Sequence, residues 1–367
     1  MGKLLYYFKK LDWALFSFAL LLASFGLTES YSIALGQETT DLLNFKKQIL
    51  FVFVGLVAFF LVSAVDYDFW KNFGKYFYIL SFLSLITVLF FGQTVRGTKG
   101  WFDLGLFNLQ PVEFAKIILI ISLANFFASH AVKMRSLWQM TISGAMTMVL
   151  AIPAFMQPDF GSALLLISIW LIMMIFAGFN KKYFIGIFLV TAIAFAGLWF
   201  SYFKEYQKER IMTFVKPTAN LLSSGYNVNQ ALIAVGSGGL WGRGVGFGSQ
   251  SQLKFLPEAQ TDFIFAVICE EFGFLGSGLI FFAYLFIFYR CLLAAKKTNN
   301  DFGIFVILGA SGLIFIEMFI NISMNLGIMP VVGISLPFLS YGGSSVVSSF
   351  ILIGIVENII IKSKTNF

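Results

Sequence analysis

Long hydrophobic runs recur along the whole chain, and short polar or charged segments separate them. Most runs contain about 20 residues, which is the length of an α-helix that crosses the hydrocarbon core of a bilayer. The pattern predicts an all-α integral membrane protein, with one polytopic domain over residues 1–367 and ten membrane spans. These spans lie near residues 13–34, 48–65, 74–92, 111–129, 138–156, 161–179, 183–202, 260–290, 303–326 and 342–361.

The composition agrees with this pattern. Of the 367 residues, 59% are hydrophobic and 12% are charged, whereas roughly 25% of the residues in a soluble domain are charged. No long segment has the composition of a soluble domain. The start of the chain is basic and then apolar, as in a signal peptide. Its apolar run is long and lacks a convincing cleavage site, so we expect a first helix that is retained.

The net charge is +7, and lysines lie mainly between the apolar runs. Lysines in such positions determine topology, so we expect no nucleic-acid partner. An even number of spans places both termini on one side of the membrane. If that side is the cytoplasm, the short outside loops hold only Lys46, Lys47, Arg96 and Lys99, and the inside segments are richer in Lys and Arg. The positive-inside rule therefore predicts that both termini are cytoplasmic.

Two of the predicted outside segments are too long to be simple connections. One covers residues 93–110, and the other covers residues 203–259 between predicted helices seven and eight. The aromatic residues Trp241 and Phe247 predict that the second loop is ordered. Its segment Ala234–Gln250 holds seven glycines, but no strand–turn–helix pattern surrounds them, which excludes a nucleotide-binding loop. These glycines instead favour tight turns and a close approach of the backbone to a ligand.

Arginine residues are concentrated in these two segments, at Arg96, Arg210 and Arg243. A guanidinium group binds two phosphate oxygens at once. The three residues therefore predict an anionic, phosphate-bearing ligand at the outer face. The alternative is that they are ordinary loop residues.

Polar residues also interrupt the predicted spans. Glu113 and Lys116 are three residues apart and share a helix face. They form either a structural ion pair or part of a polar cavity for a substrate headgroup. Glu317, Asn321 and Asn325 follow i, i+4, i+8 spacing in the ninth span, which predicts one polar stripe that makes interhelical hydrogen bonds.

Acidic residues mark the starts of two spans. Asp159 follows Pro158, which ends the fifth helix, so it is placed either to cap the sixth helix or to line an outer cavity. Asp262 begins the eighth span. It could cap that helix, act as a general base where water meets lipid, or hold a divalent cation beside phosphate oxygens. Glu270 and Glu271 lie about two turns deeper, so at least one must face the protein interior.

Six motifs in a fixed order resemble the SEDS family (shape, elongation, division and sporulation proteins) of bacterial cell-wall polymerases. They are "GTKGWFDLGLFNLQPVEFAK", "QPDFGS", "YQKERIMTFVKP", "GYNVNQALIAVGSGGLWGRGVG", "LPEAQTDFIFAVICEEFGFLG" and "GIMPVVGISLPFLSYGGSS". The resemblance spans almost the whole chain. It implies a ten-helix membrane glycosyltransferase that polymerises lipid II at the outer face of the cytoplasmic membrane and releases undecaprenyl diphosphate. It also implies a class B penicillin-binding protein as the partner that cross-links the product.

By match of motif, Asp262 corresponds to the essential acidic residue of the family. The resemblance implies substrate-binding positions at Trp101, Glu113, Lys116, Asp159 and Arg210. We expect Arg210 to contact the diphosphate of the donor, with Arg96 or Lys116 nearby. A divalent cation, Mg or Mn, held by Asp262 is a further expectation, and no other cofactor is implied.

Two positions depart from the family pattern. Val112 stands where Ser is frequent, and Gln260 stands where His is common, which weakens any mechanism that needs a His beside Asp262. The short tails and "MNLGIMPVVGISLPFLSYGG" resemble the elongation (RodA) branch, whereas "LPEAQTDFIFA" resembles the division (FtsW) branch, and we favour elongation. Two other functions stay open: a flippase that moves lipid II without making product, and a non-catalytic scaffold for the partner.

Overall fold

The structure, a computed structural model, describes residues 7–36, 42–95, 97–105, 107–130, 136–201 and 224–364. Two of the predicted site residues, Arg96 and Arg210, lie outside the described residues. The described ranges are mostly helical, and every predicted span overlaps a helix. The predicted fold class, an all-α membrane protein, is therefore confirmed.

The helices of the described ranges are numbered here in chain order. They are α1 (Trp13–Leu35), α2 (Leu43–Ala64), α3 (Tyr67–Phe91), α4 (Pro111–Ser129), α5 (Leu137–Met156), α6 (Phe160–Phe176), α7 (Lys181–Ser201), α8 (Ser224–Ser237), α9 (Ser249–Gln252), α10 (Ile264–Lys297), α11 (Asp301–Asn325) and α12 (Gly343–Ser363). Of these, α1 to α5 and α10 to α12 are long and apolar enough to cross a membrane. Helix α6 has only 17 residues, and the crossing of the membrane by α6 and α7 stays a prediction.

The centre of the bundle is formed by α4, α11 and α12, which are buried on most sides. Helix α12 packs along α2, and α11 packs against α4, α6 and α10. The outer helices α2 and α3 instead expose large apolar side chains: Phe90 and Phe91 of α3 are 72% and 80% exposed. Such surfaces are unfavourable in water and suit a lipid environment.

Polar residues at the ends of the apolar runs determine where several helices begin. In each case a side-chain oxygen accepts a hydrogen bond from a backbone N–H of the first turn, which would otherwise have no partner. The residues that act in this way are Asp12, Asp66, Ser136, Asp159 and Asn300.

The predicted loop at residues 93–110 contains a small antiparallel sheet that the sequence pattern did not indicate. Its strands are β1 (Gln93–Val95), β2 (Thr98–Asp103) and β3 (Asn108–Leu109), in the order β1-β2-β3. Trp101 lies opposite Gln93 in this sheet. Strands of two to six residues are too short for a clear alternation of polar and apolar positions.

The second long loop is ordered in its described part, where it contains α8 and α9, while residues 202–223 lie outside the described residues. Its glycine-rich segment lies against α10. Helix α10 is interrupted at Gly273, whose φ of 65° and ψ of −161° are not helical. The amides of Phe274 and Leu275, just after the interruption, donate to the carbonyls of Gly239 and Leu240 at 2.9 and 3.2 Å.

The same segment also satisfies the carbonyls before the interruption. The backbone carbonyls of Glu270 and Glu271 accept hydrogen bonds from the backbone N–H groups of Arg243 and Gly244 at 3.0 and 2.9 Å. In an unbroken helix these carbonyls would accept from residues 274 and 275. Glycine permits this contact, since a Cβ on Gly238 would lie 1.8 Å from the Cys269 carbonyl oxygen. The glycine-rich backbone therefore lies directly against the backbone of α10, while the predicted close approach to a ligand stays a prediction.

Candidate functional site

Asp262 lies in a turn that directly precedes α10, and its side chain is half-buried. The N-cap residue of α10 is Phe263, which makes no side-chain capping bond. Of the alternatives for Asp262, the N-cap position is therefore occupied by Phe263 instead, because the helix begins at Ile264. The carboxyl group faces another segment: its Oδ2 atom lies 3.6 Å from the position that a Cβ on Gly333 would occupy.

The turn that carries Asp262 is attached to the segment between α11 and α12. The backbone N–H of Tyr341 donates to the Gln260 carbonyl at 2.8 Å, and the Ser340 hydroxyl donates to the Thr261 carbonyl at 2.7 Å. These bonds satisfy polar backbone groups that no helix or strand pairs. The position of Asp262 is thus determined by contacts with distant parts of the chain.

Asp159 caps α6, as one of the two sequence interpretations predicted. Its Oδ1 atom accepts from the Ser162 N–H at 3.0 Å, and its Oδ2 atom accepts from the Ser162 hydroxyl at 2.7 Å and from Gln110 Nε2 at 3.2 Å. Burial raises the pKa of Asp159, and the hydrogen bonds from Ser162 oppose this shift. In the first turn of α6, a Cβ on Gly161 would lie 2.6 Å from the Val332 carbonyl oxygen. The start of α6 therefore lies beside the segment that faces Asp262.

Glu113 and Lys116 form the predicted ion pair, and a third charged residue joins it. Lys116 Nζ lies 2.9 Å from Glu113 Oε1 and 2.5 Å from Glu317 Oε1. The Ser348 hydroxyl donates to Glu113 Oε2 at 3.0 Å. All these side chains are buried, and one ammonium group serves two carboxylates. This supports a structural ion pair, while a role in binding a substrate headgroup stays a prediction.

The remaining predicted residues lie apart from this cluster or outside the described residues. Trp101 is half-buried in β2, and no described contact joins its side chain to Asp262. Arg243 is held by its own loop, since Nη1 donates to the Ser249 hydroxyl at 3.0 Å and Nε to the Ser237 carbonyl at 3.3 Å. The phosphate contacts predicted for Arg96 and Arg210 involve residues outside the described ranges.

The profile of a family described as "Cell cycle protein", which unites FtsW, RodA and SpoVE, matches residues 12–365. The chain belongs to the FtsW/RodA/SpoVE family. The resemblance to the SEDS family that the motifs indicated is thereby confirmed. The match covers the turn with Asp262, the buried charges of α4 and α11, and the sheet with Trp101.

Relatives in the FtsW/RodA/SpoVE family cover most of the chain. Peptidoglycan glycosyltransferase MrdB of Escherichia coli (strain K12) is 36% identical over 307 residues, which are 83% of this chain and 82% of that protein. Stage V sporulation protein E of Bacillus subtilis (strain 168) is 35% identical over 322 residues, or 86% of each chain. A probable peptidoglycan glycosyltransferase FtsW of Hydrogenovibrio crunogenus is 33% identical, with 96% of this chain and 92% of that protein covered.

Solved structures of similar proteins have the same fold. A chain from a structure described as "Structural coordination of polymerization and crosslinking by a peptidoglycan synthase complex" gives a TM-score of 0.81 at 24% identity. The alignment covers 96% of this chain and 98% of that one. The crystal structure of Thermus thermophilus rod shape determining protein RodA gives a TM-score of 0.71 at 24% identity, with 95% and 96% covered.

A metal site built from protein side chains alone is not seen in the described part of this FtsW/RodA/SpoVE protein. There, no group of three or more His, Cys, Asp or Glu residues is placed to hold a metal ion. A cation at Asp262 would therefore need most of its ligands from substrate oxygens and water, which is a common arrangement for Mg²⁺ beside phosphate groups. The expected Mg or Mn ion stays a prediction.

Several buried polar residues were not predicted from the sequence, and Glu29 is the clearest of them. Its side chain is fully buried in α1, and neither oxygen has a hydrogen-bond partner among the described residues. Glu270 and Glu271 of α10 are buried as well. The sequence did contain a signal for this buried residue, because a glutamate in the middle of an apolar run usually faces the protein interior.

A cavity of about 540 Å³ lies at the far end of α10 from Asp262. Lys71, Lys297 and Lys362 contribute to its lining. Helix α10 has 34 residues, which corresponds to about 50 Å of helix. This cavity is therefore separate from the candidate site.

Proposed function

We propose that this chain is a peptidoglycan glycosyltransferase that polymerises lipid II into glycan strands at the outer face of the bacterial cytoplasmic membrane. The main support is the placement of Asp262: a half-buried carboxylate on a non-helical turn at the end of an apolar helix, in a family whose relatives include named peptidoglycan glycosyltransferases. Donor and acceptor are both lipid-linked. They would approach from the membrane plane, so reacting groups at the end of a membrane helix suit them.

Asp262 is the general base of this proposal. The 4-hydroxyl oxygen of the acceptor sugar bonds to C1 of the donor, and the bond from C1 to the diphosphate oxygen breaks. The proton passes to Asp262, and the electron pair leaves with undecaprenyl diphosphate. One such displacement inverts the donor from α-linked to β-linked. A divalent cation, where bound, would neutralise charge on the diphosphate.

Cationic and polar residues would stabilise the leaving group and orient the sugars. Arg210 is our first candidate for a diphosphate contact, and Arg96 or Lys116 is the candidate for a second contact. Lys116 already donates to two carboxylates, so a phosphate contact would use the third N–H of its ammonium group or replace one of these bonds. We assign Trp101, Glu113 and Asp159 to binding of the substrate headgroup.

The chain would work with a class B penicillin-binding protein that cross-links the glycan. The similar solved chain comes from a peptidoglycan synthase complex that coordinates polymerisation and crosslinking. The many apolar helices imply contacts with membrane lipids, and the lysine distribution supports cytoplasmic termini. The relatives named SpoVE, MrdB and FtsW are 33–36% identical to this chain, so sequence identity does not assign it to one branch of the family. From the sequence motifs we favour elongation and rod shape over division.

The test is polymerisation of fluorescent lipid II by purified protein in detergent, followed on a gel. The parent should form glycan strands. Asp262→Asn should form none and should keep the thermal stability of the parent. Asp103→Asn, at an exposed carboxylate in β2, is the matched control and should stay active. Polymerisation by Asp262→Asn at the parental rate would show that Asp262 is not the base.

The same assay distinguishes a flippase and a scaffold from an enzyme. Detergent provides no second leaflet, so a flippase would give no product there, and a scaffold would also give none. Addition of the penicillin-binding partner and of Mg²⁺ or Mn²⁺ tests the two expected requirements. Absence of product with all of these present would contradict the proposed activity.

A further inference from the structure

We infer that Asn321 is a positioning residue for Asp262, because its amide holds both the turn that carries Asp262 and the segment that faces the Asp262 carboxyl group. This inference rests on the proposed role of Asp262 in polymerisation. It assigns to one member of the polar stripe a task beyond helix association. Asn321 does not itself contact the reacting atoms in this proposal.

The contacts of the Asn321 side chain are short and buried. Its Nδ2 atom donates to the Asp262 carbonyl at 3.1 Å and to the Ile334 carbonyl at 2.7 Å. Asn321 is 0% exposed. Ile334 directly follows Gly333, which lies opposite the Asp262 carboxyl group. One amide group therefore sets the separation of the two backbone segments on either side of that carboxyl.

Asn325, one turn further along α11, supports the same turn. Its Nδ2 atom donates to the Asp262 carbonyl at 2.9 Å and to the Asn321 carbonyl at 2.8 Å. Its Oδ1 atom accepts from the Ala266 N–H at 3.1 Å. The NH2 group and the carbonyl oxygen of the Asn325 side chain thus both bind backbone groups at the start of α10.

These bonds replace a helical hydrogen bond. In a helix that included Asp262, the Asp262 carbonyl would accept from the N–H of Ala266, four residues later. Here the carbonyl accepts from two asparagines of α11. The Ala266 N–H donates to Asn325 Oδ1 and to the Phe263 carbonyl. The orientation of the Asp262 peptide, and hence of its side chain, is therefore determined by α11 rather than by α10.

The alternative is that Asn321 only stabilises the bundle. Asn358 of α12 offers a matched control, because it is also a buried asparagine whose Nδ2 atom donates to two backbone carbonyls. Its acceptors are Ser63 at 2.8 Å and Val65, at the end of α2. Loss of the Asn321 amide leaves the Ile334 carbonyl without this donor, while the Asp262 carbonyl keeps its bond from Asn325. Loss of the Asn358 amide removes the donor of both of its acceptors, so Asn358→Leu should cost at least as much stability as Asn321→Leu.

The experiment compares Asn321→Leu with Asn358→Leu in the full-length protein. Leucine has the same branching of heavy atoms as asparagine, is somewhat larger, and has no hydrogen-bond donor. For Asn321→Leu we expect kcat for lipid II polymerisation to fall about 10- to 100-fold, with KM within twofold of the parent, because a displaced base slows chemistry and leaves binding intact. For Asn358→Leu we expect kcat within twofold of the parent and a loss of thermal stability at least as large as that of Asn321→Leu.

A second measurement does not depend on activity. Hydrogen–deuterium exchange of the peptide that covers residues 258–266 should be about tenfold faster in Asn321→Leu and unchanged in Asn358→Leu. Asn321→Ser, which keeps one hydroxyl donor, should show smaller effects of the same kind and serves if the leucine variant does not fold. Unchanged exchange and kcat in the Asn321 variants, or equal loss of kcat in both leucine variants, would overturn the inference.

The two proposals fail in different ways. If the parent makes no glycan, or if Asp262→Asn is active, the proposed function fails, and the exchange experiment still decides whether Asn321 holds the turn. If Asp262→Asn is inactive and Asn321→Leu is fully active, the proposed function stands and the positioning role fails.

Discussion

Substitution of Lys116 by Met separates a structural role of this residue from a role in substrate binding. The Lys116 ammonium lies 2.9 Å from Glu113 and 2.5 Å from Glu317, and the residue is 2% exposed. Removing one partner of a buried ion pair leaves an uncompensated charge and costs about 3–5 kcal/mol. Here two carboxylates lose their cation, so we expect a loss in the upper part of that range.

The second variant, Lys116→Met with Glu317→Gln, neutralises one of the two carboxylates that Lys116→Met leaves without a cation. A neutral amide at residue 317 needs no counter-ion, and Glu113 keeps the hydrogen bond from Ser348. We therefore expect the double variant to recover at least half of the lost stability. The two substitutions should be strongly non-additive, as expected for groups in direct contact.

The assay is thermal unfolding in detergent, followed by tryptophan fluorescence. Lys116→Met should lower Tm by roughly 5–7 °C, because an unfolding entropy of about 2.1 cal/mol/K per residue makes each kcal/mol correspond to about 1.3 °C in a chain of 367 residues. Lys182→Met removes an exposed lysine at the start of α7 and should change stability by less than about 0.5 kcal/mol. A Lys116→Met protein as stable as the parent would refute the argument from buried charge.

Polymerisation by the same variants then assigns the role of Lys116. If the double variant recovers stability and polymerises lipid II, Lys116 has only a structural role. If it recovers stability and stays inactive, the ammonium group also acts on the substrate. The result decides between the two interpretations of Glu113 and Lys116 that the sequence left open.

Two further predictions concern the glycine-rich loop and the end of α12. Gly238→Ala should lower Tm, because its Cβ would lie 1.8 Å from the Cys269 carbonyl oxygen and such crowding costs about 1–3 kcal/mol. Gly236→Ala, with no atom within 4 Å of the new Cβ, should be neutral or slightly stabilising, and equal effects would contradict the packing argument. The hydrogen bond from Lys362 lowers the pKa of Asp66, so its stabilisation should be present above the ordinary pKa of 3.8 and lost as pH falls through the lower folded-state pKa. Thermal unfolding between pH 2 and 6 should show a smaller decrease for Asp66→Asn than for the parent, and identical profiles would argue against the pair.

Local patterns in the sequence were sufficient for the positions of the long apolar helices and for some contacts within a helix. The length of an apolar run fixes a membrane helix because the bilayer has a fixed thickness. The pair of Glu113 and Lys116 followed from three-residue spacing, and the cap at Asp159 followed from its position after a proline. Each of these features depends on residues close together in the chain.

The features that the sequence did not predict depend on residues far apart in the chain. Glu317 lies 201 residues after Lys116, and Ser348 comes from yet another helix, so no spacing rule could join them. The interruption of α10 at Gly273 was also missed. A single glycine in an apolar run does not show whether another segment will provide the missing hydrogen bonds, as the glycine-rich loop does here.

The non-helical backbone at the start of α10 links these observations to function. In hydrocarbon an unpaired backbone group costs several kcal/mol, so a turn can replace a helix there only if other segments pair its polar groups. Ser340, Tyr341 and Asn321 do this for the three carbonyls from Gln260 to Asp262. A continuous helix would have directed the Asp262 carboxyl toward its own preceding turn. The position of the proposed base therefore depends on α11 and on the segment before α12 as much as on the motif that contains it.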